Sequence, residues 1–150
     1  MRLALLPLVL ALSTCAEVDS PTPPMVLPGD YRTAFVQVRG CRGTIEHGLD
    51  KSVVVRVRSE QAELYNAGPF PFPQGSLVVK EEYSDQGCTQ LFNYTIMRKE
   101  APGFFPEVGD WQWFRLDSYG TLVQGGKLAD CSHCHATMCG SKRDYTCTEP

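Results

Sequence analysis

The sequence lacks a long hydrophobic run, a surplus of positive charge and any visible internal repeat. Its longest apolar stretch, Leu3 to Leu12, falls well short of the roughly 20 residues that a membrane-spanning helix needs. The formal net charge is −3, with acidic and basic residues interspersed, so there is no positive field of the kind that phosphate-backbone binding requires. Nucleic acid is therefore excluded as an expected partner. A second C-x-x-C pair, the usual companion of the first in structural zinc sites, is also missing.

What is present is enough for one domain: 150 residues can bury about two-thirds of their unfolded surface without a metal. The opening "MRLALLPLVLALSTCAEVDS" places Arg2 before the apolar run, the layout of an export signal over residues 1–14. Its end, "LSTC", resembles the lipobox of bacterial lipoproteins, which makes Cys15 the expected lipid-modified residue. Thr14 stands where Gly or Ala is usual, and cleavage nearby without lipidation is the alternative. Residues 15–28, with four prolines, read as an extended tether, and the folded domain is expected over 29–150. Either route puts the mature chain outside the cytoplasm, periplasmic or on the cell surface, with membrane contact through the lipid anchor alone.

Exported thiols tend to be bonded to something. Of seven cysteines, Cys15 is assigned to lipid, and Cys131 and Cys134 belong to the motif in "LADCSHCHATMCG". Cys41, Cys88, Cys139 and Cys147 then remain for two disulfides. Three pairings are open, and Cys41–Cys88 with Cys139–Cys147 is favoured because the second closes a short local loop.

Strand character recurs along the domain. "TAFVQVRG" (33–40) puts Ala34, Val36 and Val38 on one face, with a short helix from Asp30 competing. "SVVVRVR" (52–58) is a β-branched run. "SEQAELYNAG" (59–68) reads as a short helix ending at Gly68, and the prolines of "GPFPFPQG" exclude a ladder strand. "SLVVKEEY" (76–83) and "LFNYTIMRK" (91–99) form an expected hairpin, and "DWQWFRLD" (110–117) is a further strand. The fold class is mainly β (α+β): an antiparallel sheet with short helices, and the Cys–His motif after the last strand.

In C-x-x-C-H, two thiols can add to the vinyl groups of one haem while the adjacent imidazole turns onto the iron. Zinc, a thioredoxin-type redox pair, and a plain disulfide with an incidental histidine are the alternatives. The order "FPQGSLVVKEEY", "YTIMRK", "DWQWFRLDSYG", "CSHCH", "RDYTC" resembles the cytochrome P460 and cytochrome c′-beta family over residues 29–150. The resemblance implies an antiparallel sheet, commonly dimeric, with one covalently attached haem c. Cys131 and Cys134 would be the attachment points and His135 the iron ligand, the other side of the iron being open. Lys80 matches the lysine cross-linked to haem in the P460 branch, where hydroxylamine is oxidised and electrons pass to an external acceptor. In the c′-beta branch nitric oxide or carbon monoxide binds without a cross-link. A haem-free, disulfide-stabilised surface lipoprotein is the reading from a different class.

An amine buried beside a porphyrin loses protons more easily and becomes nucleophilic; the competing reading of Lys80 is an exposed cation next to Glu81 and Glu82. Strand alternation groups Val78, Lys80 and Glu82 on one face, opposite Leu77 and Val79, so Glu82 is the expected proton acceptor. Phe35, Phe70, Phe72 and Phe92 are candidates to cap the distal side. Trp111 and Trp113 read as core, His47 as a loop histidine outside the site, and His133 as solvent-facing. The pocket arginine of the P460 branch has no firm counterpart, Arg56 or Arg58 serving only if the register slips.

Overall fold

The computed structural model describes residues 26–44, 47 and 51–147. The expected signal segment, most of the tether and Cys15 lie outside the described residues. Six strands follow in chain order: β1 (Phe35–Thr44), β2 (Lys51–Arg58), β3 (Leu77–Tyr83), β4 (Leu91–Lys99), β5 (Trp111–Asp117) and β6 (Leu122–Gly126). Each pairs antiparallel with the next, giving one sheet in sequential order. Short helix α1 (Tyr31–Ala34) precedes β1, α2 (Ala62–Ala67) lies between β2 and β3, and α3 (Ala129–Cys134) follows β6 and is continued by a π-helical turn over His135–Cys139.

The central strands read as continuous apolar runs because both their faces are covered. On one face Phe35, Leu77, Val79, Tyr94, Ile96, Phe114 and Leu116 are buried under Val26 and Tyr31. Val26 and Leu27, within the stretch read as tether, already pack here. Glu81 is buried on this face because the hydroxyls of Tyr31 and Tyr83 donate to it, both at 2.9 Å, and Arg56 Nε donates at 3.1 Å. Arg58 pairs with Asp30. Neither arginine approaches the opposite face, so no register slip brings them there.

The other face carries Val55, Val57, Val78, Met97, Trp111 and Trp113 against Tyr65, Phe72, Val108 and Leu128. Burying each large apolar side chain here contributes about 1.5–3 kcal/mol. The hairpin between β3 and β4 is closed by Asp85, whose carboxylate accepts from the backbone N–H groups of Gly87, Thr89 and Gln90. Cys88 in that hairpin is bonded to Cys41 on β1, and Cys139 to Cys147, with Cα separations of 5.9 and 4.4 Å.

Three expectations change. The strand expected at 33 starts at Phe35, because α1 takes up the chain through Ala34; Phe35 and Ala34 pack on one face, whereas Val38 faces the other and Val36 is 38 % exposed. Strand β6, "LVQGG", is an added edge strand whose side chains are mostly exposed, so it lacks the alternation that marks a half-buried strand. Phe35, Phe70 and Phe72 do not cap a cavity: Phe35 sits on the opposite face, and the other two pack into the core with Tyr65 and Trp111.

Candidate functional site

The site follows from the register. Residues paired across antiparallel strands point to the same face, so Val57, Val78, Met97 and Trp113 form one row across β2 to β5. Val55, Lys80, Thr95 and Arg115 form the next, followed by Val53, Glu82, Asn93 and Asp117. The wall therefore grades from apolar to polar. Across from it stand Cys131, Cys134 and His135, and the partly open cavity between them measures about 410 Å³, within the usual range for small-molecule and cofactor sites.

Cys131 and Cys134 are three residues apart on α3 and so share a helical face, and His135 begins the next turn. They are the two described cysteines outside a disulfide. Burial pushes the Cys131 thiol up to about 11 despite the nearby Arg115 guanidinium, so it is protonated at neutral pH. Arg115 bonds Asp130 and Gln124 and lies 3.6 Å from the Cys131 sulfur.

His135 is buried, with its ring edge against Trp113 at 5.8 Å between centroids. Burial lowers its pKa to about 4, so the imidazole is neutral at physiological pH. Nδ1 lies 2.6 Å from the Tyr145 carbonyl oxygen. A carbonyl only accepts, so Nδ1 carries the proton and Nε2 keeps the lone pair that a metal would take.

The loop that supplies this carbonyl is firmly anchored. Asp144 and Tyr145 have left-handed φ values of 50° and 62°, unfavourable for side chains of their size unless the surroundings impose them. The Asp144 carboxylate takes both the Lys99 ammonium, at 2.6 and 2.7 Å, and the Phe72 N–H at 2.9 Å; Trp111 Nε1 donates to the Asp144 carbonyl. Gly109 is required beside it, since a Cβ there would come within 2.6 Å of Asp144 Oδ1.

On the sheet side, Lys80 faces the cavity rather than bulk solvent, and Glu82 lies beside it. His47, expected outside the site, joins them: Nε2 is 2.6 Å from Lys80 Nζ and Nδ1 is 2.9 Å from Glu82 Oε1. Burial tends to raise Glu82, but the hydrogen bonds from His47 and the Thr95 hydroxyl and the Lys80 charge outweigh it and hold the carboxyl below its usual range. Trp113, read as core, also lines the cavity, as do Arg42, Arg115 and, of the four phenylalanines, Phe92. Trp111 is core, and His133 is exposed.

The donor set fits a c-type haem in two respects: a pair of unbridged thiols, and a histidine whose second nitrogen is left for iron. Two buried polar atoms at the cavity, Trp113 Nε1 and Asn93 Oδ1, have no partner among the described residues, which further suits a bound group. Ligand atoms of His135, Cys139 and Cys147 also lie within 4.8 Å of one another and could hold a metal ion, but only with the Cys139–Cys147 disulfide opened. No family model and no curated protein matches the chain.

The depressed His135 value predicts a pH effect for the chain without bound iron. Between pH 7 and pH 4 the unfolded chain takes up a proton at residue 135 that the folded chain refuses, so stability falls with pH. Urea unfolding should show wild type losing about 3 kcal/mol relative to His135→Phe over that interval. A difference independent of pH would contradict the neutral, buried imidazole.

Proposed function

We propose that the chain is an exported monohaem c-type protein of the cytochrome P460 kind that binds or oxidises small nitrogen ligands, hydroxylamine or nitric oxide. The observation that carries this reading is the convergence, on one cavity, of Cys131, Cys134 and His135 from one side and Lys80 and Glu82 from the other. Cys131 and Cys134 would hold the porphyrin edge, and His135 Nε2 its iron. A haem iron with one open position supplies small-ligand binding and one-electron transfer.

The protein's own residues supply the rest. Val55, Val78, Met97 and Trp113 make the apolar part of the wall and limit water. Glu82, ionised and almost fully buried, is the proton acceptor. Arg42 and Arg115, rather than Arg56 or Arg58, are the guanidinium groups placed to meet an anionic edge of a bound group. Lys80 lines the same cavity and would be the residue to form a cross-link to the porphyrin. Without that bond the same cavity serves as a nitric oxide store or sensor.

Protein purified from a host that matures c-type haem should carry a visible chromophore that nitric oxide perturbs, and hydroxylamine should reduce an added electron acceptor. Lys80→Met should keep the chromophore and convert a red-shifted spectrum to an ordinary c-type one. Nitric oxide binding without hydroxylamine turnover, and a spectrum indifferent to residue 80, would select the binding role. A colourless protein would contradict both.

A further inference from the structure

We infer that His47 is a proton-transfer residue that joins Lys80 to Glu82 and opens the cavity's proton inventory to solvent, an inference that rests on the reading of the site given above. Its ring bridges the two, one nitrogen 2.6 Å from Lys80 Nζ and the other 2.9 Å from Glu82 Oε1. Glu82 is ionised and can only accept, so His47 Nδ1 donates. Two N–H donors cannot share a 2.6 Å contact, so Nε2 is the acceptor of a Lys80 proton. The arrangement thus has a direction: a proton on Lys80 can pass to His47 Nε2 while the Nδ1 proton passes to Glu82, and charge is conserved along the chain.

Exposure completes the path. The Glu82 side chain is 6 % exposed, whereas that of His47 is 24 % exposed, so the histidine can exchange protons with water on behalf of the buried carboxylate. Thr95 donates to the same oxygen that His47 meets, Glu82 Oε1, at 2.9 Å and fixes its position. The other charged or titratable groups around the cavity are Arg42 from β1, Tyr65 from α2, Arg115 from β5, and Asp130, Cys131, Cys134 and His135 from α3 and its continuation. Arg115 is occupied by Asp130, which leaves the three-residue chain as the connected acid–base system of the sheet wall.

Two measurements on the full chain test this. The first is the ¹⁵N spectrum of the His47 ring, recorded in the reduced carbon monoxide form where the protein carries pigment and on the protein as purified where it does not: a neutral Nδ1–H tautomer is expected, lost to a mixture in Glu82→Gln. An Nε2–H tautomer, or no response to Glu82→Gln, overturns the bridge whatever the protein turns over. The second is the pH profile of hydroxylamine-dependent acceptor reduction, where His47→Gln should lower the rate by about 100-fold and flatten the profile, as loss of a general acid–base does. Added imidazole should restore rate to His47→Gly, which a merely structural role would not allow. An unchanged profile in His47→Gln, or no rescue by imidazole, overturns proton transfer even if the tautomer stands; absence of pigment counts against the function proposed above and leaves the tautomer result intact.

Discussion

Replacing Asp144 by Ala is expected to destabilise the protein by about 3–5 kcal/mol, because it strands the Lys99 ammonium in the core. Lys99 is 8 % exposed and Asp144 4 %, so neither group can turn to water without disturbing Trp111, over whose ring the ammonium lies at 5.0 Å. The backbone N–H of Phe72 loses its acceptor as well. Thermal unfolding should shift down by roughly 10 °C or more for a chain of this size. The double change Lys99→Met with Asp144→Ala should recover part of that, since it removes the orphaned charge. The consequence reaches the site: Asp144 imposes the left-handed turn that aims the Tyr145 carbonyl at His135 Nδ1. Asp144→Ala should therefore also release the His135 ring, seen as loss of a single Nδ1–H signal. A loss below 1 kcal/mol with an unchanged ring signal would contradict this anchoring.

The second large effect is chemical. Changing Cys131 and Cys134 together to Ser is expected to abolish all pigment that survives denaturation, while the fold persists. Both side chains are only partly buried and join no disulfide, and Cys131 merely packs at the margin of one core, so the sheet holds without them. Circular dichroism should be close to wild type, and the Asp144 and Cys41–Cys88 anchors should still hold the chain. Opening the Cys139–Cys147 bond by Ser substitution should leave the pigment bound, since those sulfurs lie outside the C-x-x-C-H unit. Retention of denaturation-resistant pigment in the double variant would contradict the attachment.

Much of this site is legible in the sequence where a period constrains it. β3 is a central strand with a strict period of two, so placing Val78, Lys80 and Glu82 together needs no knowledge of the partner strands. The Cys–His spacing is local to one helical turn for the same reason. Arg115 is legible in principle, since it shares the parity of Trp111 and Trp113 in "DWQWFRLD"; its place in the Lys80 row depends on β4 and β5 register, which single-strand patterning does not give. His47 has no period to follow. It lies between β1 and β2, and its contact with Lys80 spans 33 residues of sequence that no pattern links. Strand β1 misleads because α1 shifts its start and its pairing is irregular near Gln37 and Arg39, so alternation read from Ala34 lands on the wrong face. For β6, two glycines and exposed side chains leave turn-like composition in a strand that only the edge of β5 defines.

The central claim is that Cys131 and Cys134 fasten one porphyrin whose iron His135 holds. The intact mass of the mature polypeptide, made in a host with the c-type attachment machinery and measured after denaturation, tests it most directly. The account predicts the residues and any lipid plus one iron porphyrin, the increment vanishing in the double serine variant. A wild-type mass equal to the bare residues and lipid would contradict it.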